Sequence, residues 1–313
     1  LAALLMIGTQ AGFTFSGLKD FMASGRELAH AELIGALLIA GFGTLISLFP
    51  FHSWAAPAYA SAPAPVAMMH AGVLKKFGLY GLFMFQPLME TGFLPWTNIL
   101  LVLLVCNVIW VGYVTVNQKR LDLLLGNSSV MHMGYIFLAF AALVVSGSAE
   151  ANPWALKGAA LLMLAHGLTI ALLFLLCGQI EKQTGTLEIN SLGGLSTRLP
   201  RMAFVFGLAG MASIGLPGLA NFPGEFMVFF SGFAGFSNGF GPVQIATILC
   251  LWGLVIGAVY MLRAYRNIFQ GDLSKASAYA TGLQPSERAA NCFLVIALAV
   301  FGFFPTLVLQ FFS

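Results

Sequence analysis

Apolar residues run along this chain in long unbroken stretches, and polar residues gather in the short gaps between them. A helix needs about 20 mostly apolar residues to cross a bilayer. On that rule the stretches divide into about nine spans, at 1–17, 31–59, 63–87, 96–117, 121–146, 154–180, 202–234, 242–269 and 288–312. The pattern predicts an all-α polytopic membrane protein. Two spans carry helix breakers in their interior: Pro50 in the second, and the run from Leu216-Pro217-Gly218 to Pro223-Gly224 in the seventh. Irregular backbone at membrane depth persists only where protein or a wet cavity satisfies it. Interrupted helices near the midplane recur in transporters as ion sites. Both spans are therefore expected to be discontinuous helices. The segment 272–287 is the most polar stretch and reads as a surface linker.

Composition sharpens the class. Of 313 residues, 59% are hydrophobic and only 8% charged, against about 25% charged in a soluble domain. The abundance of glycine (35) and phenylalanine (29) suits helices packed closely in lipid. The net charge of +3 is too small to point to nucleic acid; the expected surroundings are the lipid bilayer. Cys106, Cys177, Cys250 and Cys292 sit singly in apolar spans, without metal-ligand spacing. Lysines and arginines gather after spans four, six and eight, Lys119, Arg120, Lys182 and Arg266 among them. The positive-inside rule places that side in the cytoplasm, or in the matrix or stroma of an organelle. The chain begins at Leu1 inside an apolar run, with no signal peptide. It reads as one transmembrane domain over 1–313 that lacks its original N-terminus.

Ionisable side chains inside the spans are few. Lys75 and Lys76 lie in the third, Glu225 follows the break in the seventh, and His52, His70, His132 and His166 are spread over separate spans. A charge at membrane depth costs at least about 2.5–3.5 kcal/mol, so such groups mark function by default. Lys, Glu and His are also the side chains whose proton affinity burial and neighbouring charge can set near neutral pH, which a proton path requires. Each has a plainer alternative. The lysines could snorkel to an interface, Glu225 could cap the helix that follows the break, and a lone buried histidine commonly bonds a neighbouring helix.

The residues around these groups resemble a known family, the antiporter-like proton-pumping subunits of respiratory complex I. That family is related to subunits of multisubunit Na+/H+ antiporters and membrane-bound hydrogenases. The matching pieces, in family order, are Pro50-Phe51-His52-Ser53-Trp54, Ala62-Pro63-Ala64-Pro65-Val66, Ala71-Gly72-Val73-Leu74-Lys75-Lys76, Asn127 through Tyr135, Ala165-His166-Gly167-Leu168, and Gly215-Leu216-Pro217-Gly218 with Asn221-Phe222-Pro223-Gly224-Glu225-Phe226. The Glu at position 225 and the Leu176-Cys177-Gly178-Gln179 run resemble the chain M (subunit 4) branch. The resemblance implies a fourteen-helix fold built on inverted repeats, with the spans here as its helices 6–14 and the two broken spans as its discontinuous helices.

It also implies a role for each group. Lys76, four residues after Gly72, matches the central-channel lysine, and Glu225 matches the terminal group of the exit half-channel. His132 and His166 match linking positions; His70 and His52 are further candidates for proton translocation, and so is Lys75, which the family pattern does not call for. The function implied is proton translocation in an NADH:quinone oxidoreductase of a bacterial inner membrane or an organellar inner membrane. The partners would be neighbouring membrane subunits. The chain itself would hold no cofactor, metal or redox centre; NADH, FMN, Fe–S clusters and quinone would belong to partner subunits. Three features depart from the family. Leu45 stands where its first-repeat lysine would be, the partner glutamate would precede Leu1, and Arg120 through Gly126 replaces the usual motif ahead of Ser128-Ser129. They keep two other readings open: a subunit of a Na+/H+ antiporter, hydrogenase or inorganic-carbon uptake complex, and a structural membrane subunit that does not pump.

Overall fold

The computed structural model describes residues 1–234 and 239–312, leaving aside the side chains of Glu90 and Phe312. The described residues are mostly helical, with one isolated antiparallel bridge between Arg120 and Glu188. Five helices are long and apolar enough to cross a membrane, and they fall on the fourth, fifth, sixth, eighth and ninth expected spans. They are α8 (Thr97–Val116) with the turns before it, α9 (Leu121–Ser146), α10 (Pro153–Thr184), α14 (Pro242–Phe269) and α15 (Pro285–Phe303). The first part of the chain forms α1 (Ala2–Ala11), α2 (Phe15–Ala23), α3 (Ala31–Ile46), α4 (Ala55–Ser61), α5 (Ala64–Met69), α6 (Lys76–Phe85) and the single turn α7 (Glu90–Phe93). The short α11 (Leu195–Arg198) leads into α12 (Pro200–Ser213) and α13 (Asn221–Ser231), and α16 (Thr306–Leu309) follows α15.

The helix α9 is the centre of the fold. Its apolar residues point in all directions, the pattern of a helix packed on every side, and 94% of its apolar window is buried. Helices α4, α8, α10, α13 and α14 surround it. By contrast α15 is 11% buried over its window and lies on the outside against α10 and α12. A reciprocal amide pair holds α15 to α10: Gln179 Nε2 donates to Asn291 Oδ1 at 3.1 Å, and Asn291 Nδ2 returns a bond to Gln179 Oε1 at 3.0 Å. The helix α10 has 32 residues, about 48 Å at 1.5 Å per residue. It outruns a hydrocarbon core of about 30 Å, and its last turns carry polar groups.

There Lys182 Nζ meets Glu287 Oε1 at 2.7 Å. Glu287 closes the polar segment 272–287, ahead of the apolar stretch of α15. The lysine's hydrogen bond, then the backbone N–H of Gln284, hold the Glu287 carboxyl below its ordinary value. A carboxyl depressed on folding stabilises the fold above its unfolded pKa, and that contribution is lost as pH falls through the folded one. Because the pair is exposed, Lys182→Ala is expected to cost under about 1 kcal/mol at pH 7, and less at pH 3. Thermal unfolding at the two pH values measures the difference.

Three expected spans end sooner than their hydropathy suggests. The first stops at Ala11, where Gly12 takes φ 86° and the chain turns into α2. The second is broken three residues ahead of Pro50: α3 ends at Ile46, and Ser47 adopts the left-handed φ of 71°. The ninth ends at Phe303, because Pro305 follows and cannot continue the helix.

The first break is satisfied from another helix. Asn107 of α8 is fully buried. Its Oδ1 accepts from Phe49 N at 2.6 Å, and its Nδ2 donates to Ser47 O at 3.2 Å and Val130 O at 3.4 Å. Trp54 Nε1 closes the stretch onto Thr44 O at 3.1 Å. The second break, 214–220, lies between α12 and α13. Tight turns satisfy its backbone, with Gly215 N on Ala212 O at 3.0 Å and Leu216 N on Met211 O at 3.2 Å. Both interruptions expected from the sequence are thus present.

Candidate functional site

The third span is helical throughout but not uniformly so. Between α5 and α6, His70–Leu74 forms a π turn, closed by Lys75 N on His70 O at 3.1 Å. Single π turns inside helices are frequent at functional sites. This one packs on α10 through two glycines, with Gly72 and Gly167 backbone to backbone. A Cβ on Gly167 would lie 2.7 Å from Gly72 O. Only residues without a side chain permit that approach, and it brings the lysines under α9 and α10.

Both lysines are buried, Lys75 at 0% exposure and Lys76 at 8%, which removes the snorkelling alternative. They point to different partners, because consecutive helical residues leave the axis about 100° apart. Lys76 Nζ turns back and donates to Ala71 O of its own π turn. Lys75 Nζ reaches across to α9 and donates to Ser129 Oγ at 3.3 Å. It also stands 5.7 Å from the centre of the Tyr59 ring, within reach of a cation–π contact.

From Ser129 the polar contacts continue. Ser129 Oγ lies 3.1 Å from His166 Nε2, and the His166 ring stacks on His132 with centroids 5.1 Å apart. His132 Nδ1 lies 2.8 Å from Ser128 O and Nε2 2.9 Å from Ser213 O. Both partners are carbonyl oxygens, which only accept. A neutral imidazole has one N–H, so the His132 site is fully bonded only when the ring carries both protons. Two positive charges 5.1 Å apart repel by about 3 kcal/mol at an effective dielectric of about 20. The pair is therefore set up to hold one excess proton, and one positive charge, at a time.

Ser213 ends α12, so His132 touches the edge of the second break. Glu225 touches the same break from the other side: a Cβ on Gly215 would lie 1.9 Å from Glu225 Oε2. The carboxyl is buried at 3% exposure, and its Oε1 has no protein partner. Glu225 is the fifth residue of α13, beyond the first turn, so the capping alternative does not describe it. Other buried polar atoms along the row also lack protein partners, among them His166 Nδ1, Tyr135 Oη and Asn221 Nδ2. Buried polar groups of this kind ordinarily bind water.

Lys75, His166 and His132 are thus brought together from the third span, α10 and α9, and Glu225 of α13 borders the same break that His132 touches. His70 lies one step aside, its ring 5.5 Å from Tyr59 and 5.6 Å from Trp54. His52 stays in the first break, stacked on Phe49 at 5.2 Å. Ser129 and Tyr59 belong to the site although neither ionises readily. Their signal in the sequence was position alone: Ser129 stands inside the Asn127–Tyr135 run and Tyr59 shortly after Trp54.

A family model described as NADH:quinone oxidoreductase/Mrp antiporter, transmembrane, matches residues 1–252. The chain belongs to this family. Within it, the chain is 36% identical over 299 residues to NAD(P)H-quinone oxidoreductase chain 4 of Synechococcus elongatus, covering 94% of this chain and 53% of that one. A chain of respiratory complex I from Thermus thermophilus with bound NADH superposes with a TM-score of 0.86 at 27% identity, covering 99% of this chain and 63% of the other. A chain of the Mrp complex from Dietzia shares the fold at a TM-score of 0.79 and 18% identity, covering 99% of this chain and 63% of the other. The chain spans about half the length of the quinone oxidoreductase relatives it matches. As an antiporter-like subunit it is an integral membrane protein.

Proposed function

We propose that this chain translocates protons as a membrane subunit of a complex I-type NAD(P)H:quinone oxidoreductase. Protons pass along the buried row from the lysine end of the third span, through His166 and His132, to Glu225 at the second break. The observation that carries the reading is the set of contacts that runs from Lys75 through Ser129 and His166 to His132, with His132 and Glu225 bordering the same break, all in the buried interior where each is costly to keep. Packing needs none of them. His70 borders the row through Tyr59, and His52 serves the first break rather than the path. Flavin, Fe–S clusters, NAD(P)H and quinone bind in partner subunits. Their redox energy reaches this chain as a change of charge or conformation in the neighbouring membrane subunits.

The test is the assembled complex in sealed vesicles, carrying Glu225→Gln or His166→Gln. Each variant keeps shape and a hydrogen-bonding group but loses the ability to exchange a proton. Quinone reduction and vesicle acidification are followed together. Both variants are expected to lower proton transport by at least about tenfold, the low end of what positioned proton-transfer groups contribute. Normal acidification with both variants would rule the reading out. Acidification replaced by sodium movement would assign the chain to cation exchange.

A further inference from the structure

Away from the proton row, three arginines gather where α12 and α15 begin. Arg198 closes α11, Arg201 stands in the first turn of α12, and Arg288 stands in the first turn of α15. All three line one cavity of about 230 Å³. We propose that this cavity binds the phosphate of an anionic phospholipid, drawn from the leaflet on the arginine-rich side of the membrane. The guanidiniums hold the headgroup, and the acyl chains lie along α12 and α15. The inference is independent of the path that protons take.

The first observation is charge without a partner. A guanidinium keeps its charge at any working pH. Neither Arg198 nor Arg201 has an ion pair or a side-chain hydrogen bond among the described residues. Arg288 spends only its Nε, which donates to Leu283 O at 2.9 Å. That bond steadies the guanidinium and leaves its two terminal amino groups open. Glu287, the next residue in the chain, is taken by Lys182 and by the N–H of Gln284, and no carboxylate lines the cavity. Three fixed charges of one sign around a small space repel one another. An anion seated among them removes that repulsion, and the planar fork of a guanidinium matches phosphate oxygens two at a time.

The second observation is depth. The apolar stretch of α12 begins at Met202, directly after Arg201, and that of α15 begins directly after Arg288. The arginines therefore stand where hydrocarbon gives way to headgroups. The third is what accompanies them. Leu199, Met202 and Leu283 line the same cavity. Within a turn and a half of the arginines, Phe204 of α12 and Phe293 of α15 are 67% and 70% exposed, and the two helices pack on each other. A basic pocket at the head of an apolar surface suits a molecule with phosphate at one end and hydrocarbon at the other. A soluble phosphate would use the arginines and leave the phenylalanines uncovered.

The test uses the assembled complex in vesicles of phosphatidylcholine with a minor fraction of phosphatidylglycerol that carries a photoreactive diazirine in its acyl chain. After illumination, peptide mass spectrometry locates the attached lipid. Label is expected on α12 and α15 near Phe204 and Phe293. Arg198→Gln, Arg201→Gln and Arg288→Gln made together should lower it at least about tenfold, because one charge-assisted hydrogen bond is worth that much. Lys119→Gln, Arg266→Gln and Lys275→Gln made together are the control. These cations are exposed on the same side and lie outside the cavity, so the label should stay. Should the first triple variant not assemble, the unaltered complex decides: phosphatidylcholine with the same diazirine should label these helices less than phosphatidylglycerol does. Equal labelling by the two lipids would overturn the proposal, and so would an equal loss in both triple variants. Loss of the label on adding millimolar inorganic phosphate would give the cavity to a soluble phosphate and overturn the lipid assignment. Absence of label on these helices, as a neighbouring subunit seated there would produce, would overturn it as well.

Discussion

Replacing Gly215 by alanine is expected to destabilise the fold by about 2–5 kcal/mol and to abolish proton transport. Gly215 has φ 79°, in the left-handed region, which costs a residue with a Cβ about 1–2 kcal/mol. The second part of the effect is local. The added Cβ falls 1.9 Å from Glu225 Oε2, so the carboxyl must leave its place, and a forced displacement in a packed interior costs about 1–3 kcal/mol more. The Glu225 side chain springs from α13, while Gly215 lies beyond the end of α12. Gly271 provides the control. It has φ 80°, and a Cβ added there would meet nothing within 4 Å, so Gly271→Ala should show the backbone cost alone. Thermal unfolding of the purified complex, with acidification in vesicles, compares the two. Equal effects would show that the carboxyl does not depend on the glycine.

Asn107→Leu is expected to cost about 2–5 kcal/mol. Its amide is the sole side chain bonded to both Ser47 O and Phe49 N among the described residues. A buried group left without a partner costs about 1–3 kcal/mol, and in lipid no solvent replaces what is lost. Leucine matches asparagine in size but offers neither donor nor acceptor. Asn117→Leu is the comparison: that amide bonds Tyr113 O at 2.9 Å on an exposed helix end, where loss stays within about 0.5 kcal/mol. Loss of unfolding temperature confined to Asn107→Leu would confirm that one residue of α8 holds the first break together. Similar losses from both would refute it.

These two residues also mark where the sequence was informative and where it was not. Hydropathy found the long helices because apolar length is a local property. The breaks at Pro50 and at 216–224 were visible because Pro and Gly act on their own backbone. That the first break begins at Ser47 was not visible, since Asn107 sets it from 60 residues away. The ionisable groups could be named because charge in an apolar run stands out. Their order could not, because it depends on which way each side chain leaves its helix. Lys75 and Lys76 differ by one position in the chain, and only packing separates their partners. Ser129 shows the same limit: a serine in an apolar helix commonly bonds its own backbone, and nothing local distinguishes one that bridges a lysine and a histidine.

The π turn at 70–74 makes that separation a matter of helical phase. Five residues wound with π geometry turn through about 90° less than five wound as an α-helix. Rewound as α, the turn would advance everything after it by about one residue. Leu74 would then stand where Lys75 stands, and Lys75 where Lys76 stands. The contact with Ser129 therefore exists in one winding of this helix and not in the other. A change of backbone bonding over this single turn would therefore couple the lysine's contact to a rotation of α6 about its own axis.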